Sequence, residues 1–181
     1  MLDDELPDLA PPISELDQFR GKWGAKYALV EFGDYQSEHT IHLAPIVHEL
    51  LNELGDDLCY VYRHFPQEKL HPQARFAAEA AESAGLQAKF WLMHDRLFAL
   101  QGEFGPNEVR EVARSLPVDM HRFETDLSNG EAAQRVTEDI ESAEESGVGD
   151  TPCLFVNGHL HTGSYEFTAV LDALRENPRT E

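Results

Sequence analysis

Tyr27-Ala28-Leu29-Val30-Glu31-Phe32-Gly33 runs into Asp34-Tyr35-Gln36-Ser37-Glu38-His39-Thr40. The first seven residues are mostly apolar and β-prone, as expected of a strand buried on both faces. From Ser37 the period changes. Ile41, Ala44, Val47, His48, Leu51 and Leu54 recur at helical spacing, which predicts a helix over Ser37–Leu54. Ser37 suits its N-cap, because a serine oxygen accepts an N–H from the first turn, and Glu38 complements the helix dipole. Pro45 removes one backbone donor inside this helix, so a kink is expected there. Gly55-Asp56-Asp57 ends it. Leu58–Phe65 then alternates, with Leu58, Tyr60 and Tyr62 against Cys59, Val61 and Arg63. Two strands flanking one helix form a right-handed βαβ unit with parallel strands.

Before this unit, residues 1–26 carry Pro7, Pro11, Pro12 and six acidic residues. They read as an extended lead-in with a mobile tip. After it the pattern turns helical. Helices are expected over Gln73–Ala84, Gln87–Gln101, Asn107–Ser115, Asp119–Ser128 and Glu131–Ser146. Gly85 is read as the stop of the first, and Pro106 as the start of the third. Strand character returns at Cys153–Val156 and His159–Thr162. The Asn157-Gly158 pair between them is a strong two-residue hairpin signal, since both residues tolerate positive φ. A last helix is expected over about Glu166–Asn177. The division is therefore a lead-in (1–26), an α/β domain from two pieces (27–66 and 147–181), and an inserted helical domain (67–146).

A chain of 181 residues can bury one core without staples, and two cysteines do not make a disulfide framework. There is no run of about 18 apolar residues, so no membrane insertion is expected. The N-terminus lacks the basic and apolar regions of a signal peptide, so a cytoplasmic location is expected. The formal charge is −20, from 34 acidic and 14 basic residues. Such a surface repels nucleic acid and anionic lipid. Between Glu124 and Asp150 stand nine acidic residues and one basic one, Arg135. This run reads as a solvated helical face. Its self-repulsion predicts an unfolding midpoint that rises from low to molar KCl; a flat or falling midpoint excludes the idea.

Several segments together resemble DsbA-like thioredoxin proteins, a family of thiol-disulfide oxidoreductases. Leu29-Val30-Glu31-Phe32-Gly33-Asp34-Tyr35 is similar to the strand that delivers the active site in that family. Tyr62-Arg63-His64-Phe65-Pro66, Ala77-Ala78-Glu79-Ala80-Ala81 and Lys89-Phe90-Trp91-Leu92-Met93-His94-Asp95 are also similar. So is Gly147-Val148-Gly149-Asp150-Thr151-Pro152, followed by Phe155-Val156-Asn157-Gly158. The likeness covers nearly the whole chain from about residue 13. It includes stand-alone DsbA-like proteins and the thioredoxin-like extensions of some bacterial sodium/proton antiporters. The resemblance implies a thioredoxin fold (β-α-β, then β-β-α) with an inserted helical domain.

It also implies a site. Ser37 matches the nucleophilic cysteine of the family's C-x-x-C motif and Thr40 the resolving one. Glu38 and His39 match the dipeptide that tunes them. Thr151-Pro152 matches a loop whose proline is cis in the family. A hydroxyl neither ionises near neutral pH nor forms a disulfide, so the degenerate motif is expected to be redox-inactive. Cys59 and Cys153 fall on strands separated by a third in the resembled sheet. That spacing is about 9–10 Å, beyond the roughly 7 Å that a disulfide can span. Both read as core thiols.

Two uses of such a site stay open. One is a binding groove for a peptide or protein partner, bounded by the Ser37–Thr40 helix start, the Thr151-Pro152 loop and the helical block. A backbone there could pair with an extended chain. This reading needs no cofactor. The other is glutathione chemistry at Ser37, as in the kappa-class transferases of the same fold, which use a serine at the first-cysteine position. A third role, regulatory, follows from the antiporter likeness alone. His39 and His42 share a helix face with Glu38, but a zinc site needs three or four converging ligands, so no metal is expected. His64 and His94 are read as packing or hydrogen-bonding residues.

Overall fold

The computed structural model describes residues 8–176 and Pro178. The expected mobile tip before Asp8 and the expected helix end at Asn177 lie outside the described residues. Among the described residues five strands form one sheet: β1 (Gln18–Gly21), β2 (Tyr27–Gly33), β3 (Leu58–His64), β4 (Cys153–Val156) and β5 (His159–Leu160). Their order across the sheet is β1-β3-β2-β4-β5. β2 and β3 are parallel, with Leu29 opposite Tyr60, and the helix α1 (Glu38–Leu54) connects them. The other pairs are antiparallel. The expected βαβ unit and hairpin are both present. At the hairpin, Asn157 and Gly158 both take positive φ, +53° and +97°. The Asn157 side chain also binds both ways: its Oδ1 accepts the Ala28 N–H, and its Nδ2 donates to the Leu174 carbonyl.

All seven residues of β2 are buried, because both faces of the sheet are covered. On one face Leu29, Tyr60, Tyr62 and Leu154 pack under α1, the helical block and α7 (Phe167–Glu176). On the other, Val30, Phe32, Val61 and Phe155 meet Leu9, Ala25 and Ala143. Leu9 and Ala25 belong to the N-terminal segment. The segment read as an extended lead-in contributes the edge strand β1 and closes one face of the core. The cause is a buried cation. Arg63 donates to both carboxylate oxygens of Asp17 (2.8 and 3.0 Å), to the carbonyls of Pro11 and Pro12, and to Ser142 Oγ.

The inserted block comprises α2 (Ala74–Gly85), α3 (Phe90–Ala99), α4 (Pro106–Arg114), α5 (Met120–Ser128) and α6 (Glu131–Glu145). The third expected helix and those after it lie within a residue or two of their predicted bounds. The junction of the first two differs. Gly85 stays helical, and Ala88 at φ +57° makes the reversal, so α3 begins three residues later than expected. An alanine in the left-handed region gives no sequence signal. No described helix is long and apolar enough to cross a membrane.

Candidate functional site

The loop Asp34–Ser37 is fixed before α1 begins. Gly33 precedes it because a Cβ there would lie 2.5 Å from the ring of Tyr62, itself buried. Tyr35 stacks on Tyr62 with ring centres 5.5 Å apart, and its hydroxyl lies 2.9 Å from His94 Nδ1. Burial, then the Arg20 charge, holds His94 well below the usual histidine range, so the neutral ring can accept the Tyr35 proton. Asp34 is buried and accepts three bonds: from the N–H of Gln36 (2.7 Å), the N–H of Gln67 (2.9 Å) and His71 Nδ1 (2.7 Å). Gln36 completes the bracing, donating to the Gly102 carbonyl and accepting from the Gln73 N–H. These bonds tie the loop to the helical block.

Ser37 then caps α1 as expected, its Oγ accepting the Thr40 N–H at 3.3 Å. Its proton goes elsewhere: Ser37 Oγ donates to the Thr151 carbonyl at 3.3 Å. The Thr151–Pro152 peptide is cis. The structure thus brings Ser37 and Thr151 together across the chain, with both residues buried. Thr40 is fully buried, and neither its Oγ1 nor that of Thr151 has a hydrogen-bond partner among the described residues. The Thr151 N–H donates to Oδ1 of its neighbour Asp150 at 2.8 Å.

Beside this pair lies a groove of about 380 Å³. Its walls are His39, His42, Leu43 and Ile46 of α1, the loop Asp150-Thr151-Pro152, and Tyr165-Glu166 ahead of α7. The expectation that the helical block forms the third wall is corrected. That block bounds a separate polar recess, lined by Gln36, Glu38 and Gln101–Glu103, and His42 borders both. Of the residues singled out by sequence, His39, Thr151 and Pro152 line the groove. Glu38 lines the recess, while Ser37 and Thr40 line neither. Asp150, Tyr165 and Glu166 were missed. Asp150 stands next to the quoted Thr151-Pro152 pair, whereas nothing in the sequence marks the other two.

Cys59 and Cys153 do not pair with each other. Cys59 lies opposite Ala28 and Cys153 opposite Phe32, on the two sides of β2 and four residues apart along it. Burial pushes the half-buried Cys153 thiol up to about 11, away from the thiolate. Outside the groove lining, three buried side chains converge from three elements: His64 of β3, Glu82 of α2 and Asp139 of α6. Their ligand atoms lie within 4.8 Å of one another, the arrangement among the described residues that could hold a metal ion. They are also bonded among themselves: His64 Nε2 sits 3.0 Å from Glu82 Oε1, and the His64 N–H donates to Asp139 Oδ2 at 2.8 Å. No spacing rule finds such a set, because its members are 18 and 57 positions apart in sequence.

Residues 14–176 match the family model described as Thioredoxin. The chain belongs to the thioredoxin family. A Na(+)/H(+) antiporter NhaA 1 from Salinispora arenicola is 41% identical over 168 residues, 92% of this chain and 26% of that protein. One from Mycolicibacterium vanbaalenii is 36% identical over 173 residues, 94% of this chain and 28% of that protein. The chain thus spans about a quarter of the length of these relatives. Among solved structures, a thioredoxin-like oxidoreductase from Silicibacter pomeroyi has 25% identity and a TM-score of 0.77, covering 90% of this chain and 92% of that one. Oxidised BdbD from Bacillus subtilis superposes with a TM-score of 0.83 at 20% identity, covering 96% and 98%. The thiol-disulfide exchange protein α-DsbA2 from Wolbachia pipientis gives 0.78 at 20% identity, covering 88% and 86%. The fold is therefore that of DsbA-like thioredoxin proteins.

Proposed function

We propose that this thioredoxin-family chain has exchanged disulfide chemistry for binding, and that its groove holds an extended peptide or a segment of a partner protein. The observation that carries this reading is the groove of about 380 Å³ beside the cis-proline loop, within the range of about 300–1,000 Å³ typical of ligand sites. The hydroxyl chemistry agrees. Neither Ser37 nor Thr40 can form a disulfide, and the two cysteines lie on either side of β2. A cytoplasmic setting, where thiols stay reduced, suits a site without disulfide exchange. The NhaA-named relatives carry this fold as one part of a longer chain, which supports a binding role beside other machinery.

Glutathione chemistry is the second reading, and Ser37 weighs against it. Its hydroxyl is buried and donates to Thr151, and the groove walls bear Asp150 and Glu166, which repel the carboxylates of glutathione. The test is capture of fluorescent extended peptides by the wild type and by Thr151→Arg, which fills the groove with a long cation. Binding lost in the variant supports the groove; binding unchanged removes it. Glutathione is run in parallel as a thermal shift and a chlorodinitrobenzene conjugation assay. Positive results there, lost in Ser37→Ala, would replace the peptide reading.

A further inference from the structure

We propose that the occupant of the groove is an extended segment bearing a lysine or arginine, and that Asp150 couples that charge to backbone docking at Thr151. The inference rests on the groove reading above. Strand addition at this loop needs the Thr151 N–H, and that donor is already bound by the Asp150 carboxylate at 2.8 Å. The Thr151 carbonyl is likewise engaged by Ser37 Oγ. A neutral segment must therefore compete with a charge-assisted hydrogen bond before it can pair.

A cation has a lever that a neutral residue lacks. Asp150 and Glu166 are both exposed and line the same groove. A lysine or arginine placed between them pairs with both carboxylates and draws Asp150 off the Thr151 N–H. That N–H is then open to the segment's carbonyl. The stem of the entering residue lies against Leu43, Ile46 and Pro152, in the groove that Tyr165 also lines. The formal charge of −20 favours a basic encounter over the whole surface. His39 and His42 also line the groove.

The experiment measures anisotropy of three short Val/Ser peptides that differ only in a central Lys, Gln or Glu. The wild-type chain is compared with Asp150→Asn, Asp150→Ala, Thr151→Arg and a control outside the groove lining, Glu144→Gln/Glu145→Gln. The Lys peptide is expected to bind the wild type about tenfold more tightly than the Gln peptide, with the Glu peptide weakest. Asp150→Ala should bind the Gln peptide more tightly than the wild type does, because the Thr151 N–H is freed. An acidic patch acting by charge alone gives no such gain. The Lys preference should collapse in Asp150→Asn and persist in the control. Equal binding of all three peptides, lost in Thr151→Arg, overturns the cation proposal and leaves the groove. Absence of binding by both wild type and Asp150→Ala overturns the groove and this proposal with it. A Lys preference that survives Thr151→Arg places binding elsewhere on the acidic surface and also overturns both.

Discussion

Ser37 and Thr40 stand three residues apart at the start of α1, yet their hydroxyls have opposite circumstances. Ser37 Oγ both accepts and donates, capping α1 and holding the Thr151 loop. Thr40 Oγ1 is buried and has neither kind of partner among the described residues. Thr40→Val keeps the shape and removes an unsatisfied polar group. It should leave stability unchanged or raise it by up to about 1 kcal/mol. Ser37→Ala should cost about 1 kcal/mol as a lost N-cap. Urea unfolding of the two variants checks the contrast; equal losses would show that Thr40 has a partner of its own. Ser37's capping role was legible in the sequence, since a cap is a local contact between a side chain and its own first turn. The isolation of the Thr40 hydroxyl was not, because it depends on what packs around α1.

Among the elements, the strand β1 and the segment before it show how one side chain organises a region without periodicity. The Arg63 and Asp17 side chains are 4% and 7% exposed, and Arg63 also serves two proline carbonyls and Ser142. Arg63→Ala leaves the Asp17 carboxylate buried without its cation. It should cost about 3–5 kcal/mol, the usual penalty for breaking a buried pair on one side. Amide exchange should quicken in residues 8–21 ahead of α1. Uniform exchange across the chain would mean that this segment is not a separable element. The prolines and acids of the segment read as an extended leader. Nothing local reveals that Asp17 answers a charge 46 positions away on β3.

For the molecule as a whole, two buried acids contribute to the response to pH at its neutral end. Burial raises Glu31 from its ordinary value near 4.5 to about 7, against the opposing hydrogen bond from Tyr60. Burial likewise raises Asp139 from 3.8 to about 7, against His64. Both folded values lie above the unfolded ones. Their contribution to stability is therefore full below about pH 4 and is lost as pH rises through about 7. Glu31→Gln should flatten its share of that slope. It should stabilise the fold at pH 8 by on the order of 3 kcal/mol, with little effect at pH 4. Unfolding curves at the two pH values measure it, and an equal effect at both would show that Glu31 is ionised throughout. The sequence by itself determined the βαβ unit, the Asn157-Gly158 hairpin, the helical block and the cap at Ser37. Those features follow from periodicity and turn chemistry within a few residues of chain. Only the tertiary structure decided that Tyr165 and Glu166 face His39 across the groove, that Asp150 occupies the Thr151 N–H, and that His64, Glu82 and Asp139 meet. Ser37 and Thr151 touch across 114 positions. Such contacts depend on how the sheet and its covering helices close on each other, and strand or helix periodicity carries no record of that closure.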